Sequence, residues 1–205
     1  MSRCLVGRRI CPALSTTDLL LLLVLVILMQ AHLLSAIAGS LVALLFAVQH
    51  GIGAIVLLAH RPASQVSSRL WDTALAWAGT LLPLAMRATA EPAGWLSLAI
   101  VASGSLLATA AILSLGRSFG MEPAHRGLQT RGLYRLVRHP IYAAYLLIVG
   151  GFLAAHLSWW NGVIALIWLW MQVARIKREE TLLRSDVYYQ DYVRQVRWRL
   201  VLGLW

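Results

Sequence analysis

An all-α fold, a polytopic transmembrane bundle of about six apolar segments, is what this sequence predicts, on three observations. Of the 205 residues, 60% are apolar and only 13% are charged, against about half and about a quarter in soluble domains. The mean hydropathy of +0.71 is far above that of a disordered chain. The apolar residues also gather into runs of the length a bilayer requires.

The first run, Leu19 to Ala59, is 41 residues without a charge. As helix it would measure roughly 60 Å, about twice a bilayer core. It therefore reads as two segments, about 19–36 and 41–59, joined by a tight turn at Ala38-Gly39-Ser40. Further segments are expected at about 70–88, with Asp72 near its start and Pro83 inside, and at 95–115, 141–157 and 162–178. The last is apolar only to about Ala174, so its end should leave the membrane as an amphipathic helix. A segment count of six puts both termini on one side.

The charges test that count. Basic residues outnumber acidic ones 18 to 8, a net +10, and 17 of the 18 are arginine. Arg3, Arg8 and Arg9 precede the first segment, and Arg61 and Arg69 lie between the second and third. Arg117, Arg126, Arg131, Arg135 and Arg138 lie between the fourth and fifth, and the rest, apart from Arg87, end the sixth segment and fill the tail. The positive-inside rule then places both termini and the two even-numbered loops in the cytoplasm. The arginine bias suggests a GC-rich, bacterial genome, hence a plasma-membrane location. Ala36-Ile37-Ala38 has the form of a signal cleavage site, but the apolar run resumes at once, so the segment is expected to be retained. Cys4 and Cys11 alone build neither a disulfide framework nor a structural zinc site.

The chain reads as one integral membrane domain over 1–205, with N-terminal helices over 1–103 and a second part over 104–205. Only residues 116–140 and 175–205 could form a water-facing site. The first stretch is long for a loop between adjacent segments, and such loops tend to carry function. Its glycines permit close backbone approach to a ligand. Pro140 suits the first turn of a helix, which places His139 at a helix entrance where free N–H groups and the positive dipole end favour an anion. The alternative is a basic collar against lipid phosphates.

In the second stretch, Arg175 and Glu179 are one helical turn apart on one face, while Glu180 points about 100° away. Arg175 could hold an anionic substrate and Glu179 a cationic or hydroxyl-bearing cofactor group, or the two could form an ion pair on a solvated face. His32, Gln49 and His50 lie within apolar segments, where interhelical hydrogen bonding is the simpler role. His156 is expected near the outer face, and Trp159, Trp160, Trp198 and Trp205 read as interfacial anchors. The six histidines have no metal-ligand spacing, and there is no Walker loop, Rossmann fingerprint or nucleophile elbow. Basic and aromatic residues alternate in the tail, but membrane lipids explain them better than nucleic acid.

Gly132-Leu133-Tyr134, then Arg138-His139-Pro140-Ile141-Tyr142, then Arg175-x-x-x-Glu179-Glu180 and the tail aromatics Tyr188, Tyr189 and Tyr192 occur in a specific order. Over about residues 104–205 this pattern resembles the isoprenylcysteine carboxyl methyltransferase family, particularly its short bacterial members. The resemblance implies a multi-pass enzyme that uses S-adenosyl-L-methionine. Gly127, Leu128 and Gln129 would then line the cofactor, largely through backbone. Tyr134, His139 and Tyr142 would also contact it, Glu179 would bind it from the other side, and Arg175 would be the substrate-side arginine. Eukaryotic members often have a histidine and a valine-rich segment just before Leu128, whereas here Arg126 and Gln129 flank it.

Such a reaction needs chiefly alignment and exclusion of water. A carboxylate acceptor is already ionised at neutral pH and requires no base. The implied partner is a lipophilic or lipid-anchored acceptor that enters sideways from the membrane lipids. Two other classes fit the same architecture. A NADPH-dependent membrane reductase usually has asparagine where this chain has Pro140-Ile141, and a non-catalytic lipid-binding scaffold would leave the motifs unexplained.

Overall fold

The computed structural model describes residues 14–61, 65–66, 69–90, 92–121, 124–203 and 205. Cys4, Cys11 and the arginines before the first segment lie outside the described residues.

Helix α1 (Thr16–Ile37) begins at a capping box. The Ser15 hydroxyl accepts from the Asp18 amide at 3.1 Å, and the Asp18 carboxylate accepts from the Ser15 amide at 3.1 Å. This reciprocal pairing satisfies the first free N–H groups and starts the helix three residues before its charge-free run. Gly39, at φ +100°, makes the turn expected there. Ser40 caps α2 (Leu41–Leu58) by accepting from the Ala43 amide at 3.2 Å. So short a connection makes the two helices an antiparallel hairpin. Only Asp18 and Leu21 of α1 are buried. A helix apolar all round with so little of it covered has a face for lipid.

The third segment departs from expectation. Helix α3 (Leu70–Leu81) gives way to a 3-10 turn over Leu82–Ala85, which contains Pro83. Proline has no N–H and clashes with the preceding turn, so the helix ends well short of residue 88. Helices α4 (Trp95–Leu115) and α5 (Pro140–Ala155) pack closely because glycine faces the partner on each side. A Cβ on Gly104 would stand 2.8 Å from Ile148 Cγ1, and one on Gly151 would stand 2.8 Å from Val101 Cγ2. Helix α6 (Trp159–Leu183) runs beyond its apolar part, as its sequence suggests, and α7 (Val187–Gln195) follows. Helices α1, α2 and α4 are long and apolar enough to cross a membrane, while α5 is apolar but only 16 residues long.

A minimal sheet joins two loops of the otherwise all-helical fold. Strand β1 (Gln65–Val66) pairs antiparallel with β2 (Ala124–His125), two residues each. Together with the Arg61 amide donating to the Arg117 carbonyl at 2.7 Å, it stitches the loop after α2 to the loop after α4. At the opposite end, the fully buried Asn161 clasps the chain before α4. Its side chain accepts from the Arg87 amide at 2.9 Å and donates to the Arg87 carbonyl at 2.8 Å.

The tail also folds back. The Arg138 and His139 amides donate to the carbonyls of Trp198 and Arg199 at 2.9 and 2.8 Å. The Trp205 indole lies against the Tyr142–Ile176–Leu200 cluster, under the Arg199 guanidinium at 5.2 Å. Trp205 is thus part of the fold, not the interfacial anchor its sequence suggests. Trp159 remains 81% exposed, as such an anchor would be.

Candidate functional site

The helices enclose a cavity of about 420 Å³, within the range of small-molecule sites. The eight residues to which the resemblance gives a role reach its wall: Gly127, Leu128, Gln129, Tyr134, His139, Tyr142, Arg175 and Glu179.

The loop after α4 builds one side. Gly127 has φ +96°, a conformation side chains resist. Its carbonyl accepts from the Ser118 hydroxyl at 3.0 Å, which fixes the turn. Leu128 packs on Tyr189 and Tyr192 of α7, and the Tyr192 hydroxyl donates to the Tyr134 carbonyl at 2.7 Å. Burial first, and then the negative charge of Glu179, push the Tyr134 hydroxyl well above its ordinary pKa. It therefore stays a neutral donor.

Helix α6 builds the facing side. Trp168, Gln172, Arg175 and Glu179 follow one another at helical spacing, so one face of an apolar helix carries the polar groups. The ion-pair alternative for Arg175 and Glu179 fails. Arg175 is 8% exposed, and no carboxylate among the described residues pairs with it. Among the described residues its guanidinium has only distant polar neighbours, Gln172 Oε1 and the Met121 carbonyl, each at 3.5 Å, and its Nε has no partner. The guanidinium lies over the Tyr142 ring at 5.3 Å, and the Tyr142 hydroxyl donates to Glu179. Tyr142 thus separates a buried cation from a partly exposed carboxylate.

At the entrance of α5 the tail supplies partners for two backbone amides. The Arg138 and His139 N–H groups are not free for an anionic ligand, because the tail carbonyls take them. The negative charge there is the protein's own. His139 Nδ1 lies 3.7 Å from Glu179, and Nε2 lies 3.4 Å from Glu180. Glu180, only 4% exposed, receives Arg138 Nη1 at 2.7 Å and both Nε and Nη2 of Arg199 at 3.0 Å. Burial opposes its charge, but hydrogen bonds from His139 and Arg199 and the nearby charges of His139 and Arg138 outweigh it. They hold the carboxyl at about 2. Burial, then the Glu180 charge, pushes the neighbouring Tyr189 hydroxyl up to about 12. The two adjacent glutamates thus divide their work: Glu179 faces the cavity and Glu180 ties the tail to the loop.

Several wall residues escaped the sequence reading. Met121, Gly79 and Tyr145 carry no pattern that marks them, although Tyr145 follows Tyr142 on the same helical face. Arg126, expected as a flanking loop residue, is 9% exposed and lies 3.9 Å from Asp18. Gln49 hydrogen-bonds across helices, accepting from Ser105 at 2.8 Å. His32 and His50 instead pair with carbonyls of their own helices. Among the described residues no group of three or more metal-ligating side chains occurs.

Long apolar helices around a cavity with charged groups gathered at one end mark an integral membrane protein. Comparison with known proteins narrows the class. Residues 92–191 match the model of the phospholipid methyltransferase family. The chain is also 33% identical over 113 residues to protein-S-isoprenylcysteine O-methyltransferase A of Arabidopsis thaliana. That match takes in 50% of this chain and 57% of the relative, so the chain spans little more than half the length of that protein. Residues 92–191 are thus similar to a methyltransferase family, and the matched relative is a methyltransferase of the type that the motifs resemble.

Proposed function

We propose that the cavity binds S-adenosyl-L-methionine beside a lipophilic acceptor, and that the protein transfers a methyl group to that acceptor, a carboxylate, at the membrane surface. The observation that carries the reading is Arg175. A buried guanidinium without a carboxylate partner among the described residues is costly, so we assign its counter-ion to the ligand.

The wall suits the cofactor. When bound, S-adenosyl-L-methionine supplies a methyl group already activated on a cationic sulfonium. Glu179 attracts positive charge, and Tyr142 fixes that carboxylate by donating to it. Tyr134 and His139 add aromatic surface, and the backbone of Gly127, Leu128 and Gln129 admits close approach. Arg175 orients the acceptor carboxylate, which needs no base, and the apolar walls of α1, α2 and α3 exclude water and receive the lipid part. An amine acceptor would arrive protonated, and His139, held between two glutamates, is poorly placed to relieve it.

The same reading takes 1–205 as one membrane unit, with 1–103 shaping the acceptor's side and 104–205 the catalytic part. The arginine distribution supports six crossings with the charged end of the cavity and both termini in the cytoplasm. On this reading the enzyme acts on lipophilic or lipid-anchored molecules drawn from the membrane, a bacterial one on the strength of its arginine bias.

The test is calorimetric titration of detergent-purified protein with S-adenosylhomocysteine, with NADPH in parallel. Saturable binding of the first is expected, and Glu179→Ala should abolish it. Arg175→Ala should retain that binding while lowering acceptor turnover roughly tenfold to a hundredfold. Binding of NADPH alone would make the protein a reductase, and binding of neither by folded protein would favour the scaffold. Turnover unchanged in both variants would overturn the assigned roles.

A further inference from the structure

The cavity has a second polar end, far from Arg175. It runs up between α1 and α2 to His32, Phe46, Gln49 and His50, all on its wall. The rings of His32 and His50 stack at 5.2 Å, and Phe46 closes the cluster at 5.1 Å from His32.

Their hydrogen bonds fix their chemistry. His32 Nδ1 lies 2.7 Å from the Leu28 carbonyl, and His50 Nδ1 lies 2.6 Å from the Phe46 carbonyl. A carbonyl only accepts, so each Nδ1 carries a proton, and in that neutral tautomer Nε2 is the acceptor. Neither Nε2 has a hydrogen-bond partner among the described residues. Gln49 is 5% exposed, and its Oε1 is taken by Ser105, which leaves its amide N–H groups as donors. Two acceptors and a donor are therefore gathered in the apolar part of the cavity, where unpaired polar groups are expensive.

The distance between the two ends follows from α1. Leu21 clusters with Met121, whose carbonyl is the one facing Arg175. His32 stands 11 residues further along the same helix, which is about 16 Å at the helical rise.

We propose that the acceptor is bipolar: its anionic head lies at Arg175, and a hydroxyl group about 16 Å along its apolar chain donates to the stacked His32–His50 pair through one Nε2 and accepts from Gln49. A hydroxyl donates one proton and accepts through its oxygen, which suits one of the two imidazole Nε2 atoms and the amide donor. The inference rests on the acceptor site proposed above and deepens it.

The probes are tetradecanoate and ω-hydroxytetradecanoate, whose extended chain is of about that length. Each is titrated into detergent-purified protein saturated with S-adenosylhomocysteine. The hydroxylated probe is expected to bind roughly three- to tenfold more tightly than its parent. In the His32→Phe/His50→Phe double variant, which keeps the rings and removes the acceptors, the order should reverse. Gln49→Met, a second variant, should narrow the preference without reversing it. S-Adenosylhomocysteine affinity must stay unchanged in both variants, which shows that they fold. Equal or tighter binding of the parent by the wild type would overturn the proposal, as would a preference that survives in the double variant. Failure to bind either probe while S-adenosylhomocysteine still binds also overturns it. Loss of S-adenosylhomocysteine binding by the wild type would instead sink the underlying methyltransferase reading.

Discussion

Replacing Glu180 by glutamine should loosen the tail. The carboxylate receives Arg138 at 2.7 Å and Arg199 through two nitrogens at 3.0 Å. A carboxyl that ionises near 2 instead of 4.5 favours the charged form of the folded protein by about 3 kcal/mol. That agrees with the usual cost of breaking a buried pair, about 3–5 kcal/mol. Arg138, whose side chain is only 7% exposed, is then left short of its counter-ion. For a chain of this size the loss corresponds to a fall of about 6–12 °C in the unfolding midpoint. The assay is thermal unfolding in detergent, together with the rate of tryptic cleavage after Arg199, whose carbonyl is released when the tail detaches. The sign with pH follows from the depressed pKa. The stabilisation is complete above about pH 4.5 and is lost as the pH falls towards 2, so variant and wild type should converge in acid. A midpoint within about 2 °C of wild type at neutral pH, with unchanged cleavage, would refute the reasoning.

Gly104→Val should cost about 2 kcal/mol or more, because a Cβ there meets the Ile148 amide nitrogen at 2.9 Å and the Ala144 carbonyl at 3.0 Å, and backbone cannot move aside cheaply. The unfolding midpoint measures it. Gly79→Ala should act on function instead. Its Cβ would stand 3.2 Å from Arg175 Cδ and 3.3 Å from Nη1, which displaces the guanidinium into the cavity. Acceptor KM should change several-fold, with S-adenosylhomocysteine affinity preserved.

Much of this was legible because it is local. Charge-free runs mark α1, α2 and α4, Gly39 and Ser40 mark the turn between the first two, and Pro140 marks the start of α5. The early start of α1 at Thr16 depends on the Ser15–Asp18 capping box, which a hydropathy boundary at Leu19 passes over. The break at Pro83 was visible as a residue but not as an ending, since proline is tolerated within apolar segments when neighbours satisfy the freed groups. The site was legible as far as residue types and order carry it, and the cavity wall does include each candidate. What stayed hidden is non-local. The pairing of Arg138 and His139 with Trp198 and Arg199, and the capture of Glu180 by arginines from two sides, depend on contacts that no local spacing encodes. The division between Glu179 and Glu180 is of the same kind. Neighbours on a helix differ by about 100°, and only the packed partners decide which of them faces the ligand.

The returning tail also has a consequence in time. Residues 138 and 139 are synthesised about 60 residues ahead of residues 198 and 199, which at about 5–20 residues per second is a wait of roughly 3–12 s. During that wait the apolar helices can already be inserted, yet the amides at the head of α5 have only water to answer them, and Arg138 has no Glu180 until most of α6 has been made. Membrane insertion and completion of the binding wall are thus separate events in the life of each molecule, and ligand capture belongs to the second.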